Sequence, residues 1–244
     1  MTGLVRLSAA WILMLLAAVA VGAQDLPAPL AERFSLAVAD LKAGRLDVAE
    51  RAFRDILRDG GERAFVHHNL GIVLRERGRH ADALSEFRAA TKLDSSFGPA
   101  RLLAGTSLLA LARVREARAE LQLAVRLMPK EVVAHVQLAD ACQRLGDHAC
   151  VADAYRRAVQ LAPNDPEYAY RLGSAYLAVA TWAYERIAKS DPKLPRTHLA
   201  LARIHFDQGR LDDAAREIER ELAIVPSSAD ARELKARIQG GRRQ

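Results

Sequence analysis

VVAHVQLADACQRLGDHACVADAYRRAVQLAP, residues 132–163, reads as two short amphipathic helices that are joined by a turn at Gly146 and Asp147 and ended by a proline. The same skeleton returns when the frame is moved by 34 residues in either direction. The positions that repeat at this interval include Pro129 and Pro163; Ala90, Ala124 and Ala158; and Phe87, Leu121 and Tyr155. A fixed period of this length predicts an array of stacked helix-turn-helix repeats.

The composition of the 244-residue chain agrees with an all-helical array. Half of the residues are hydrophobic but only 5% are aromatic, and alanine and leucine dominate. Small side chains let helices pack closely, whereas alternating β-branched residues, which favour strands, are scarce. The sequence therefore predicts an all-α fold with essentially no strand.

The N-terminal segment differs in composition from the repeats that follow it. Arg6 precedes an uninterrupted apolar run at residues 9–21, and Val21-Gly22-Ala23 supplies small residues before Gln24. This pattern is typical of a secretory signal that is cleaved after Ala23, and an apolar run of 13 residues is short of the ~20 that span a bilayer. We expect an exported protein, periplasmic or secreted. The alternative is an uncleaved anchor in the inner membrane.

The charge of the chain does not indicate nucleic-acid binding. The formal net charge falls from +6 to +5 without residues 1–23, which contain one arginine and no acid. Arginine and glutamate are interspersed, as in Arg216–Glu221, which is typical of solvated helix faces.

Six repeats and a closing helix come after the N-terminal segment. The predicted boundaries are a signal peptide at 1–23, a linker at 24–29, repeats at 30–63, 64–97, 98–131, 132–165, 166–194 and 195–228, and a capping helix with a tail at 229–244. The capping helix would cover the last exposed apolar face of the array.

The fifth repeat is shortened. Pro192 lies 29 residues after Pro163 instead of 34, so five residues are missing where the inter-helix turn should lie. No glycine lies between Gly173 and Pro192. Two outcomes are open: a compressed turn near residues 178–181, or one continuous helix over about residues 167–190.

The pattern of the repeats includes Leu172-Gly173 with Tyr176, Ala83-Phe87-Ala90 and the closing prolines. In this pattern the chain resembles the tetratricopeptide repeat (TPR) over about residues 30–228. The chain is similar to exported bacterial proteins of this type. The resemblance implies a right-handed superhelix that binds a protein or peptide in a concave groove lined by first helices. The residues that it places in the groove are Phe34, Val38, Phe65, His68, Ile72, Arg75, Leu102, Thr106, Val136, Asp140, Gln143, Tyr170, Ser174, Leu199, Arg203 and Phe206. Each of them could instead only pack against neighbouring helices.

Two further groups of residues leave alternatives open. Cys142 and Cys150 lie on opposite sides of the Gly146 turn, where they could form a disulfide, although two buried free thiols are the expected state. Five aromatic residues cluster in the fifth repeat, where they either fill an irregular helix junction or form a partner-binding hot spot: Tyr168, Tyr170, Tyr176, Trp182 and Tyr184.

The chain carries no recognisable catalytic or cofactor motif. It has no HExxH, no Cys-x-x-Cys, no phosphate-binding glycine loop and no G-x-S-x-G. The seven histidines do not have the spacing of a zinc site. We therefore expect that the protein is not an enzyme and that it binds no metal, no cofactor and no small-molecule substrate.

These observations predict a non-catalytic scaffold that binds a protein or peptide partner in the bacterial cell envelope. The alternative is a membrane-anchored or homo-oligomerising structural element that retains residues 9–21.

Overall fold

The computed structural model describes residues 25–241, with side chains to residue 239. Within this range every regular element is an α-helix, apart from a 3₁₀ conformation at Asp25, and there is no strand. The twelve helices are α1 (Ala28–Lys42), α2 (Leu46–Arg58), α3 (Ala64–Glu76), α4 (His80–Leu93), α5 (Gly98–Ala110), α6 (Val114–Leu127), α7 (Val132–Arg144), α8 (His148–Leu161), α9 (Pro166–Ser190), α10 (Pro195–Asp207), α11 (Leu211–Ile224) and α12 (Ala229–Gly241). The predicted all-α fold is confirmed.

The described chain divides into two compact units. Unit 1 ends at Leu145 and contains α1–α7, and unit 2 begins at Gly146 and contains α8–α12. In unit 1 each helix packs on the next, and the first helices of successive repeats, α1, α3, α5 and α7, also touch one another. The same pattern recurs in unit 2, where α10 contacts both α11 and α12.

The core of unit 1 is a continuous column of apolar side chains. Phe53, Phe87 and Leu121, one from each second helix, are completely buried. The column needs small residues opposite them: a Cβ atom on Gly71 would lie 2.6 Å from Cε1 of Phe87, and one on Gly105 would lie 2.5 Å from Cγ of Leu121. These two glycines are therefore required by close helix packing, and the large residue always comes 16 positions after the small one.

The turn between the two helices has the same geometry in four repeats, the first, second, third and sixth. Gly44, Gly78 and Gly209 have φ angles of 73°, 74° and 72°, and in each case the N–H of the following arginine donates to a carbonyl five residues earlier, as in Arg79 to Leu74 at 2.9 Å. This pattern is the Schellman motif that ends many helices. The third repeat makes the same turn without glycine, since Ala112 has φ of 57° and the N–H of Arg113 donates to Leu108 at 2.9 Å.

The fifth repeat has no turn. Of the two outcomes that the sequence left open, the structure has the continuous helix, α9, which runs for 25 residues from Pro166 to Ser190. Asp165 caps its N-terminus by accepting a hydrogen bond from the N–H of Glu167. Ala175 is the one buried residue of the helix.

Replacing Ala112 by glycine should stabilise the protein. An alanine with positive φ is strained by roughly 1–2 kcal/mol, and glycine relieves this strain at the cost of a more flexible unfolded chain. We expect Ala112→Gly to raise the free energy of unfolding by about 0.5–1 kcal/mol in urea titrations monitored by circular dichroism.

The matched control is Ala110→Gly, two residues earlier at the exposed end of α5, where glycine should lower the free energy of unfolding by up to about 1 kcal/mol. A loss of stability in Ala112→Gly as large as in the control would contradict the role assigned to this turn.

Candidate functional site

The predicted groove is only partly an accessible surface. Six of its sixteen residues are buried, which favours the alternative that they only pack against neighbouring helices: Phe34, Phe65, His68, Ile72, Leu102 and Val136. Phe65, for example, stacks edge-on against Phe34 with ring centroids 5.0 Å apart. The reason is the number of neighbours, because an internal first helix such as α3 contacts second helices on both sides and the adjacent first helices as well.

The other ten predicted residues keep accessible surface. Val38, Arg75, Thr106, Asp140, Leu199 and Phe206 are half-buried, and Gln143, Tyr170, Ser174 and Arg203 are exposed. Five of them lie on the adjacent first helices of unit 1, and we call this set the first-helix strip: Val38, Arg75, Thr106, Asp140 and Gln143.

The polar members of the first-helix strip are held by local contacts. Asp140 forms an ion pair with Arg144 at 2.9 Å, and Arg144 also donates to the carbonyl of Leu109 on the neighbouring first helix at 3.1 Å. The hydroxyl of Thr106 donates to the carbonyl of Leu103 at 3.0 Å. Arg75 pairs with Glu76 at 2.8 Å. The strip thus offers apolar, cationic, hydroxyl and anionic groups on a pre-ordered backbone.

A second accessible feature is the aromatic surface of α9. Tyr170, Tyr176 and Trp182 have 73%, 50% and 48% of their surface exposed. The guanidinium of Arg186 lies 5.4 Å from the centre of the Trp182 ring. The exposure of these three rings favours the interpretation of the aromatic cluster as a partner-binding surface over its interpretation as junction packing.

A third feature is a small pocket between α10 and α12, which includes two of the predicted groove residues. Arg203 binds Asp230 at 2.6 Å, and the guanidinium of Arg237 lies 4.7 Å from the centre of the Phe206 ring. Asp207, Glu233 and Leu234 complete the lining. The pocket walls mix both signs of charge around one aromatic ring.

Sequence reasoning missed a polar pair that recurs inside the repeats. Nδ1 of His67 lies 2.7 Å from Glu86, Arg101 donates to Glu120 at 3.0 Å, and Nδ1 of His198 lies 2.8 Å from Glu217. In each pair the second residue comes 19 positions after the first, and this constant spacing is the signal that could have revealed them. They join the two helices of one repeat, so their role is structural.

In residues 25–241 no group of three or more histidine, cysteine, aspartate or glutamate side chains is placed to hold a metal ion. Cys142 and Cys150 are not the free thiols that we expected, because both are disulfide-bonded.

The described helices do not include a membrane-spanning candidate, since none of them is both long and apolar enough. The apolar run at residues 9–21, with the predicted cleavage point after Ala23, lies outside the described residues.

Comparison with protein families agrees with this geometry. Three models described as tetratricopeptide repeat match residues 62–128, 132–175 and 180–238. The chain belongs to the tetratricopeptide repeat family. The second and third matched segments leave a gap inside α9, at the place where the turn of an ordinary TPR would lie. No curated protein sequence matches the chain.

Solved TPR structures resemble the chain at the level of the fold. PilF from Pseudomonas aeruginosa is 20% identical, with a TM-score of 0.55 over 89% of this chain and 99% of that one. YrrB, described as a TPR protein with an unusual peptide-binding site, is 20% identical, with a TM-score of 0.50 over 76% of this chain and 98% of that one. MamA is 17% identical, with a TM-score of 0.50 over 79% and 96% of the two chains.

His68, predicted to line the groove, is buried in the core, and we expect its burial to make the fold sensitive to acid. Its ring is completely buried, packs edge-on against Phe97 at 5.0 Å, and has no hydrogen-bond partner at either nitrogen. Burial, with a smaller contribution from Arg75, lowers the pKa of His68 to about 3 from 6.5. The unfolded chain therefore binds a proton first as the pH falls, so the stability due to neutral His68 is complete above about pH 6.5 and is lost between 6.5 and 3.

We expect His68→Leu to flatten the acid side of the stability profile. Between pH 7 and pH 5 the variant should gain stability relative to the natural chain by up to about 1.4 kcal/mol per pH unit, because one proton uptake is removed. Urea titrations at pH 8, 7, 6 and 5 measure this difference. Parallel profiles for the two chains would show that His68 does not titrate on unfolding.

Proposed function

We propose that this TPR protein is a non-catalytic scaffold that binds a partner protein or peptide across its stacked first helices, in the bacterial cell envelope. The observation that carries the proposal is the first-helix strip, which places accessible side chains on the adjacent helices α1, α3, α5 and α7 of unit 1.

The chemistry of the first-helix strip favours an amphipathic segment. Packed helices lie about 8–10 Å apart, so a bound chain that crosses the strip meets a new helix at each step of that length. It would meet apolar Val38 at one end, and the charged and amide groups of Asp140 and Gln143 at the other. Because the strip is built on rigid helices, little ordering of the protein opposes binding.

Relatives of similar fold support a binding role without identifying the partner. TPR proteins are scaffolds for protein interactions, and YrrB is described as having a peptide-binding site. By analogy alone, the corresponding ligand of this chain is a protein or peptide rather than a small molecule.

Two features support a location in the envelope. The N-terminal segment has the pattern of a secretory signal, and the two cysteines of the chain are disulfide-bonded, a state that persists in oxidising compartments such as the bacterial periplasm.

The binding surface is tested by adding two charges to the first-helix strip. Thr106→Arg with Gln143→Arg should reduce capture of the partner by tenfold or more, roughly 1–2 kcal/mol, because both side chains would project into the bound segment. The measurement is quantitative crosslinking from the native envelope, followed by mass spectrometry of the captured proteins.

The matched control is Ala119→Arg with Ala149→Arg, which adds the same charge at exposed positions of the second helices α6 and α8. Thermal unfolding of all variants verifies that each one folds. Partner capture that is equal in the strip variant and the natural chain, or that falls equally in the control, would contradict the proposed surface.

Export is tested by sequencing the N-terminus of the protein recovered from cells. We expect the mature chain to begin at Gln24, because small residues precede it at the predicted cleavage point. A chain that begins at Met1 and fractionates with membranes would instead support the anchored alternative.

A further inference from the structure

An unusual exposed glycine lies on α9. Gly71 and Gly105 are covered by large side chains from the second helix of their own repeat, at 2.6 and 2.5 Å from a Cβ atom placed on each glycine. Gly173 occupies the same position in the fifth repeat, yet nothing lies within 4 Å of its Cβ position. Gly71 and Gly105 make room for a large side chain, whereas no side chain lies over Gly173.

The missing neighbour can be identified from the register. Leu121 lies eight residues before the closing proline of its repeat, Pro129, and Tyr184 lies eight residues before Pro192. Tyr184 is therefore the side chain that would cover Gly173 if the repeat folded back on itself. In the continuous helix the two residues are eleven positions apart, or about 16 Å along the axis at 1.5 Å per residue, so they cannot meet within one chain.

Gly173 and Tyr184 belong to one uncharged face of α9. At 100° per residue, an arc of about 100° contains nine residues of α9, all of them uncharged. Three of them are Pro166, Ala169 and Ala188, and we call the other six the open face: Tyr170, Gly173, Leu177, Ala180, Tyr184 and Ile187. Tyr170, Gly173, Leu177 and Ile187 are exposed, and Ala180 and Tyr184 are half-buried. The charged residues of the helix lie on other sides of it: Glu167, Arg171, Glu185, Arg186 and Lys189.

The open face is complementary to a second copy of itself. If two α9 helices lie antiparallel with Gly173 opposite Tyr184, then Leu177 falls opposite Ala180 and Tyr170 falls opposite Ile187. Each of these three pairs then joins a larger side chain to a smaller one and occurs twice, while Ala169 falls opposite Ala188 in the same register. Such a self-complementary patch is the requirement for a two-fold symmetric interface.

We propose that a second copy of this chain covers the open face, so that each α9 completes the fifth repeat of the other in a domain-swapped dimer. The shortened repeat supplies the cause, because removing the turn of a helical hairpin prevents closure within one chain and leaves closure between two chains. This inference does not depend on the proposed partner, since the first-helix strip lies on different helices.

The first test is the oligomeric state of the whole chain, measured by sedimentation equilibrium at protein concentrations from about 1 to about 100 µM. Dimers with dissociation constants in this range have free energies of dissociation of roughly 5–8 kcal/mol. We expect a reversible dimer. Gly173→Ala should weaken it, with a dissociation constant raised about tenfold or more, because the new methyl group occupies the space for Tyr184 at both ends of the interface. Within a single copy the methyl group meets nothing, so the variant still folds.

A disulfide crosslinking experiment tests whether residue 173 of one copy meets residue 184 of the other. The double variant Gly173→Cys, Tyr184→Cys cannot bridge within one chain, because a disulfide needs Cα atoms about 4.4–6.8 Å apart. We expect a crosslinked dimer on mild oxidation. The control, Arg171→Cys with Trp182→Cys, has the same spacing of eleven residues on the opposite side of α9 and should remain uncrosslinked.

Restoring the turn should abolish the dimer. An insertion of five residues with a central glycine between Ala178 and Val179 returns the two prolines to a spacing of 34, so that Tyr184 can cover Gly173 in the same chain. We expect this variant to be a monomer at the highest concentration tested. The proposal is overturned if the natural chain is monomeric throughout, as it would be if another protein covers the open face, or if the control pair crosslinks equally well.

Discussion

The contact between a small residue in a first helix and a large residue 16 positions later is the constraint on which the rest of the structure depends. It sets the distance at which the two helices of a repeat meet, as at Gly71 and Phe87, and this distance determines how the next pair can stack. Because no pair buries its apolar surface alone, the constant spacing along the chain produces a continuous core in unit 1.

This constraint explains which features the sequence could predict. The period of 34 residues, the all-helical class and the irregular fifth repeat all depend on where small, large and turn-forming residues recur. A search for glycine alone would have missed the turn of the third repeat, because Ala112 takes the positive φ there. Propensity alone could not decide between a compressed turn and a continuous helix in α9, because both use strong helix formers.

The candidate site was harder to predict for a physical reason. Helical periodicity identifies which residues share a face of a helix, but it does not reveal how many adjacent helices pack against this face. His68 and Leu102 are on the predicted face yet completely buried, whereas Gln143 on α7 is exposed. Burial also determines how His68 titrates, which its identity alone does not reveal. Sequence spacing alone could not show that Cys142 and Cys150 are disulfide-bonded, because it does not specify the Cα distance that a disulfide needs.

The near absence of buried residues in α9 has a further consequence, for cooperativity. In a linear array, each repeat is coupled to the rest only through its contacts with its neighbours. Ala175 is the one buried residue of α9, whereas Ala202, Ala214 and Leu234 belong to a separate small core formed by α10–α12. Because these last three helices have a core of their own, we expect them to open as a block before the preceding helices unfold. Any molecule that covers α9 would join this block to the rest of the array, so binding would change the size of the cooperative folding unit as well as its stability.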